Sequence, residues 1–224
     1  KAQKLQKVKD YSEVIGHWRY VYKNVPGARL SPFVDGIKII EERIKSNKEN
    51  KEIRSAYIDT LFEIYDKRIE CHGDEGKVLG MKAGKALKYR SKTHLNEVLG
   101  DFKRSVEIEG IRSNPLVLSN YFKATIIAVG KDSITKEEAF SIYLNITPIV
   151  EENIKQRENA DKQKKRKQRD IFLKTRKKIE EGLKKIIKDC SEAKLAFEDS
   201  YKKRPDDPQL WTAIFSIYRN LGEE

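Results

Sequence analysis

The chain has 224 residues, of which 38% are hydrophobic and 37% charged, and its formal net charge is +12. A charged fraction well above the ~25% of ordinary globular domains favours a thin architecture in which every helix keeps a solvated face, as in a helical solenoid. The 12 Gly and 6 Pro are too few for an all-β sandwich or barrel, whose turns recur every ~8–12 residues, and no apolar run reaches the ~20 residues of a membrane-spanning helix.

Helix start and stop signals punctuate the first third of the chain. Ser31 followed by Pro32 predicts an N-cap with proline at the first helical position. Asn50 predicts the start of the next helix, and Gly73 predicts its left-handed C-terminal cap. Apolar residues recur every three or four positions between these signals, which indicates amphipathic helices, and Asp74 is expected to cap the helix that follows.

Three glycines, Gly76, Gly80 and Gly84, follow at intervals of four residues. This spacing places them on one side of a helix and predicts a flat surface for close packing of another helix. A phosphate-binding loop ending at Lys85 is the alternative interpretation. Its spacing is one residue short, no Ser or Thr follows the lysine, and no strand precedes it, so we reject a nucleotide site.

The same kind of signal continues along the chain. Gly110 ends one helix and Pro115 begins the next, while Thr135 and Glu138 form a capping box that satisfies two backbone N–H groups. Pro148 lies inside the helix that follows and predicts a kink. With the C-terminal segments, the sequence predicts about eight or nine helices in hairpin succession and no strand.

A strongly basic segment covers residues 155–178. It contains twelve Lys or Arg and three acidic residues, which accounts for +9 of the net charge of +12. A solvated helix face is one interpretation, and contact with an acidic protein, anionic lipid head groups or nucleic acid are the others. Nucleic acid is the less favoured partner, because residues 162–170 contain no aromatic residue for base stacking. The candidate basic patch consists of Lys162, Lys164, Lys165, Arg166, Lys167 and Arg169.

Within this segment, residues 161–169 contain no apolar side chain that could pack against a neighbouring hairpin. Lys, Gln and Arg favour a helix, whereas like charges four residues apart weaken it. We therefore predict a solvent-bridging helix or a frayed joint. It would connect an N-terminal helical-repeat lobe, residues 1–158, to a C-terminal lobe, residues 159–224.

The C-terminal lobe carries a spaced pattern of small, aromatic and proline residues: Ala193, Phe197, Ser200, Pro205, Trp211 and Tyr218. Alanine, an aromatic residue, a small residue and proline on one helix, then tryptophan and tyrosine on the next, resemble the tetratricopeptide repeat. A looser copy lies 95 residues earlier, at Val98, Phe102 and Ser105. Leu116 stands in that copy where the tryptophan would be.

The resemblance implies an all-α solenoid of helical hairpins of the tetratricopeptide type, wound as a right-handed superhelix. It also implies that Phe197 and Trp211 are structural and lie buried between adjacent hairpins. In such repeats the first helix of each hairpin lines a concave groove. The matching positions of the last repeat form the candidate groove: Gln209, Thr212, Ser216, Arg219 and Asn220.

A second resemblance covers residues 33–40, 59–70 and 76–80, which are similar to segments of divergent bacterial tetratricopeptide proteins. Those proteins are generally envelope-associated and mostly of unassigned function. The resemblance implies a helical scaffold and export to the periplasm, with the cytoplasm as the alternative compartment.

The residue types that carry enzyme chemistry form no recognisable set. His17, His72 and His94 lack the spacing of metal ligands or of a catalytic triad. Neighbouring carboxylates point about 100° apart on a helix and do not converge on a substrate. Cys71 and Cys190 either pair or remain free thiols on separate helices, because sequence does not supply the distance between them. We expect no catalytic residue, no metal and no cofactor.

The sequence therefore predicts a non-enzymatic scaffold that binds a protein or peptide partner in a groove. The alternative is a protein that binds nucleic acid or anionic surfaces through residues 155–178.

Overall fold

The computed structural model describes residues 12–158, 163–189, 191, 193–194, 197–198, 202, 205–206 and 208–221. These residues form helices joined by short turns, and no strand occurs among them. The predicted all-α class is confirmed.

The helices, in chain order, are α1 (Ser12–Asn24), α2 (Ser31–Ser46), α3 (Lys51–His72), α4 (Glu75–Tyr89), α5 (Leu95–Glu109), a 3-10 turn (Gly110–Arg112), α6 (Pro115–Val129), α7 (Lys136–Lys155), α8 (Gln163–Ile186) and α9 (Pro208–Leu221). Between α8 and α9, the described residues of the segment 191–202 are helical as well.

Side-chain caps fix the starts of two helices where the sequence predicts them. The Asn50 carboxamide oxygen accepts from the Ile53 N–H at 3.0 Å at the start of α3. At the start of α7, the Thr135 hydroxyl accepts from the Glu138 N–H at 3.2 Å, and the Glu138 carboxylate accepts from the Thr135 N–H at 2.8 Å. The capping box is confirmed, and it secures two N–H groups that would otherwise lack partners.

The predicted cap at the start of α2 is wrong by one residue. The backbone of Leu30 is already helical, with φ −73° and ψ −25°, so Leu30 is the N-cap and Ser31 is the first helical residue. The Leu30 side chain makes no capping hydrogen bond. Pro32 keeps its predicted place in the first turn, where a missing N–H costs nothing.

Residues 1–78 form one compact unit of the chain, which contains α1, α2 and α3. α2 packs on α3, and Phe33 near the start of α2 contacts His72 at the end of α3, with 5.2 Å between ring centroids. α1 packs on α2, where the Trp18 indole N–H donates to the Pro32 carbonyl at 2.7 Å. A Cβ at Gly36 would lie 2.6 Å from the Trp18 ring, so only glycine admits the indole there.

Residues 79–224 form the second compact unit. Its central helix is α6, which packs against α5, α7 and α8, while α9 packs on α7. The sequence of α6 is apolar almost all round the helix and holds a single charged residue, Lys123. Such a helix is expected to have neighbours on several sides. The division at residue 78 differs from the predicted lobes 1–158 and 159–224, and those lobes stay a prediction.

An aromatic cluster joins α7, α9 and the described helical residues of the segment 191–202. Phe140 lies 4.3 Å from Phe197 between ring centroids, and Phe197 lies 6.1 Å from Tyr218. Phe197 is only 4% exposed, and Ala193 is fully buried one turn before it. The predicted burial of Phe197 is confirmed, whereas Ser200 lies outside the described residues.

The predicted burial of Trp211 is wrong, because 48% of this residue is exposed. α9 turns Leu210, Ile214 and Ile217 inward, and this spacing leaves Trp211 on the flank of the buried stripe. Its indole N–H donates to the Pro205 carbonyl at 2.8 Å. Phe215, one turn further on, is 70% exposed on the same flank.

The predicted flat glycine surface is confirmed for two of its three glycines, Gly80 and Gly84, which lie against α5 and α6. A Cβ at Gly80 would lie 2.7 Å from the Ser105 hydroxyl oxygen and 2.8 Å from a methyl group of Val117. One turn later, a Cβ at Gly84 would lie 3.5 Å from the Asn120 amide nitrogen. The missing side chains therefore allow α4 to approach α5 and α6 closely.

Replacing Phe197 by alanine should lower the free energy of unfolding by about 3–5 kcal/mol, the range for buried aromatic residues. Urea denaturation followed by circular dichroism measures this change. Phe215→Ala is the matched control, because Phe215 is mostly exposed and its loss should change stability by less than about 0.5 kcal/mol. A loss below about 1 kcal/mol for Phe197→Ala would contradict the packing described here.

Replacing Gly80 by alanine should destabilise the protein by about 1–3 kcal/mol, because the new methyl group overlaps the stiff Val117 side chain. Gly100→Ala in α5 is the control, since a Cβ there has no neighbour within 4 Å. The control should stabilise by about 0.5–1 kcal/mol through helix propensity. Thermal denaturation of both variants tests the pair, and equal shifts of the same sign would refute the close contact at Gly80.

Candidate binding face

Helix α8 lies along α6 in the same direction. The Thr175 hydroxyl is 3.5 Å from the Pro115 carbonyl at the start of α6. Two turns further along both helices, a Cβ at Gly182 would lie 2.7 Å from the end of Ile126 and 3.0 Å from the Phe122 ring. Since the later residue of α8 meets the later residues of α6, the two helices are parallel. Gly182 allows their backbones to come close.

Helix α7 fixes the rotation of α8 about its own axis. The Arg176 guanidinium is 3.4 Å from the Glu151 carboxylate, and the Arg157 guanidinium stacks 5.3 Å from the centre of the Phe172 ring. Arg157 is held in turn by the side-chain oxygen of Asn153 at 2.7 Å. Glu151 precedes Arg157 in the sequence, but its partner Arg176 follows Phe172, the partner of Arg157. α7 and the turn after it therefore run antiparallel to α8.

The side of α8 away from α7 therefore faces solvent beside α6. Ile171, 49% exposed, and Lys178 border the strip that contacts α6, and Lys174 lies next to them. On α6, Leu116, 63% exposed, and Lys123 border the same contact. We call these five residues the α6–α8 face.

The α6–α8 face combines apolar and positively charged groups. α6 contributes no acidic residue at all. On α8, Glu180 pairs with Arg176 towards α7 and Glu181 pairs with Lys177, while Asp170 lies one turn before Lys174. Lys174 and Lys178 are four residues apart, so their like charges repel by a few tenths of a kcal/mol. With Asp170 and Glu181 nearby, the three lysines still leave the face with a net positive charge that favours a bound anion.

The predicted basic patch lies at the start of α8. Arg166 and Lys167 are exposed, and Arg169 is half-buried. Lys162 lies outside the described residues, and no side-chain position is described for Lys164 or Lys165. The segment is helical from Gln163 onward, as its helix-forming residues predict.

The five residues of the predicted groove all belong to α9: Gln209, Thr212, Ser216, Arg219 and Asn220. Thr212 is the one whose side chain is described. It is exposed, and its hydroxyl donates to the Pro208 carbonyl at 2.8 Å. α9 packs on α7, whereas the α6–α8 face involves α8, so the described contacts do not bring the predicted groove to that face.

Two buried tyrosines, Tyr121 of α6 and Tyr143 of α7, have a packing role. Burial raises the pKa of Tyr121 to about 12, and nearby Glu107 adds to the shift. Burial also raises the pKa of Tyr143 to about 12, with a smaller contribution from Glu180. Both phenols therefore stay neutral at any pH at which the protein is handled, and they contribute aromatic surface to the core.

The described part of the chain contains no group of three His, Cys, Asp or Glu side chains arranged to hold a metal ion. His72 is bound to the Pro26 carbonyl, 3.0 Å from its Nε2. Cys71 is a free thiol, and Cys190 lies outside the described residues. Of the helices that the structure describes, none is long and apolar enough to cross a membrane.

The α6–α8 face was not predicted as a site from the sequence. In the sequence, Lys174 and Lys178 belong to the basic segment, and Leu116 stands out only as the counterpart of Trp211. The 95-residue correspondence contained a usable signal, because Leu116 and Trp211 prove to be exposed at matching positions. The sequence does not show which side of α6 remains exposed once α8 packs against it.

Backbone amides of residues 164–168 should exchange with solvent at least about 100-fold faster than those of residues 61–65, because helix ends without burial open easily. Gln163, Arg166, Lys167 and Gln168 are exposed, whereas Leu61, Ile64 and Tyr65 are fully buried. Hydrogen exchange read by NMR or mass spectrometry gives the two rates. Equal protection would mean that the start of α8 is buried against something.

No family model, curated protein sequence or solved structure matches this chain.

Proposed function

We propose that this protein is a non-enzymatic scaffold of tetratricopeptide-like helical hairpins that binds a protein or peptide partner. The observation that carries the proposal is the α6–α8 face, where exposed Leu116 and Ile171 flank a contact between two parallel helices. In a hairpin repeat, the first helices of successive hairpins lie side by side and line the binding groove. α6 and α8 would be two such helices.

The order of contacts along α4, α6 and α8 supports a repeat. Gly80 meets Val117 and Gly84 approaches Asn120, so α4 and α6 run in the same direction. α6 and α8 do so as well, and α7 returns between them. Alternation of parallel first helices with antiparallel second helices is the arrangement expected for stacked hairpins.

The 95-residue correspondence gives a second, independent support. Val98 and Ala193 are both buried, as are Phe102 and Phe197, although the two segments lie far apart in sequence. Leu116, like Trp211 at the matching position, is exposed. Equivalent positions thus share their environment, which is what a duplicated hairpin would produce.

The exposed flanks of α6 and α9 offer surfaces of the kind that partners use. Large apolar side chains such as Trp211 and Phe215 supply most of the energy when a partner buries them. The candidate groove on α9, with Thr212 exposed beside these two residues, belongs to this proposal. The similarity to envelope-associated bacterial proteins makes the periplasm the proposed compartment, with the cytoplasm as the alternative.

A second candidate function is binding of nucleic acid or anionic surfaces through residues 155–178. The observation that favours it is the exposure of Arg166 and Lys167 at the start of α8. Such electrostatic binding loses orders of magnitude in affinity between ~50 and ~200 mM salt. Recognition of a peptide partly by apolar contacts would respond far less, so a salt titration separates the two functions.

Selection of a random peptide library displayed on phage against the full chain should enrich peptides that depend on the α6–α8 face. Leu116→Glu should weaken their binding by about 10-fold or more, because it removes an apolar contact and adds a charge. Tyr20→Glu is the control, since Tyr20 is exposed and lies in the other compact unit. It should leave binding unchanged. Peptides insensitive to Leu116→Glu, or no enrichment at all, would refute the proposed binding face.

A further inference from the structure

We infer that the segment bound by the α6–α8 face is an acidic peptide that carries apolar residues, supplied by another protein. The inference rests on the proposed function and specifies the chemistry of the partner. Three kinds of observation lead to it: the sign of the charge, the two apolar anchors, and the residue types that the face lacks.

The net charge of the face is positive, with its three lysines set against Asp170 and Glu181 beside them on α8. Lys123, Lys174 and Lys178 are exposed along it, and α6 has no acidic residue. Glu180 pairs with Arg176 towards α7, whereas Glu181 pairs with exposed Lys177 and lies three residues after Lys178. A partner with carboxylates would neutralise the repulsion between Lys174 and Lys178 and gain charge-assisted hydrogen bonds.

Two apolar side chains give the face more than electrostatic attraction. Leu116 follows Pro115 on α6, and Ile171 lies one turn before Thr175 on α8. Both residues therefore border the place where these two helices meet. A leucine-sized side chain of the partner that covers them would remove apolar surface from water on both sides of the interface. A purely acidic ligand would not bury the apolar surface of Leu116 and Ile171.

Nucleic acid and a second copy of the chain fit the face less well. The cations on the face are lysines, which provide no planar surface for a base, and neither Leu116 nor Ile171 is aromatic. In a symmetric dimer through this face, the lysines of one copy would meet the same lysines of the other. An acidic, apolar segment of another protein meets both the charge and the hydrophobic requirement.

Fluorescence anisotropy with labelled synthetic peptides tests the inference on the full chain. The first probe is a peptide of about 12 residues that repeats Glu-Glu-Leu. Two matched peptides replace either every Leu by Ser or every Glu by Gln. A single-stranded RNA of similar length and vesicles that contain an anionic lipid are the remaining probes, all measured at ~100 mM salt.

The Glu-Glu-Leu peptide should bind, and each matched peptide should bind at least about 10-fold more weakly. The double variant Lys174→Glu, Lys178→Glu should weaken binding of the first peptide by about 10-fold or more. Lys184→Glu is the control, because Lys184 is exposed about 80° from Lys174 and about 120° from Lys178 around the α8 axis, and it should change the affinity less than about 2-fold. Circular dichroism confirms that each variant is folded.

Leu116→Ser distinguishes apolar docking from simple attraction of charge. It should weaken the leucine-containing peptide by about 10-fold and leave the serine-containing peptide almost unchanged. Equal effects on both peptides would overturn the inference. So would RNA or vesicles that bind as tightly as the first peptide, an equal effect of Lys184→Glu, or dimerisation of the chain through Leu116 in sedimentation experiments.

Failure of the inference and failure of the proposed function give different results. If peptides selected from the random library depend on Leu116 but are not enriched in Asp and Glu, the partner chemistry is wrong and the binding face remains. If no selected peptide depends on Leu116, the binding face itself is wrong. An acidic, leucine-containing consensus that depends on both Leu116 and Lys178 supports both.

Discussion

The close contact between α8 and α6 determines most of what residues 79–224 present to solvent. Gly182 sits where any Cβ would meet Ile126 and Phe122, so α8 can lie against α6 without displacing those core side chains. Arg157 stacked on Phe172, and Arg176 paired with Glu151, then hold α8 against α7 at a fixed rotation. Once position and rotation are fixed, the side of α8 with Ile171 and Lys178 can only face outward.

Glycines allow close approach of a neighbouring helix at several contacts of this chain. Gly36 admits the Trp18 indole in residues 1–78, and Gly80 admits Val117 and Ser105 in residues 79–224. A glycine inside a helix costs about 1 kcal/mol relative to alanine. That cost is offset here because closer helices bury more apolar surface, and Gly100, which has no neighbour within 4 Å, lacks any such compensation.

Cations on different sides of α8 make different contacts. On α8, Arg176 and Lys177 pair with acidic neighbours, whereas Lys174 and Lys178 border the α6 contact on the open side. The basic segment therefore contains some cations that pair with carboxylates and others, Lys174 and Lys178, that border the α6 contact. Net charge alone does not separate them, because both kinds contribute equally to the +12.

The sequence by itself determined the helical class, the caps at Asn50 and Thr135, the flat glycine surface at Gly80 and the burial of Phe197. All of these depend on local backbone chemistry or on periodicity within one helix, which residue order encodes directly. Only the tertiary structure decided which flank of each helix remains open. Trp211 has the spacing of a core residue and is half exposed, because α9 turns its Leu210 stripe toward α7. Likewise Leu116, Ile171 and Lys178 become one face only through the rotation of α8 on α6, and that rotation depends on Arg157, Arg176 and Gly182 meeting partners up to 60 residues away in sequence.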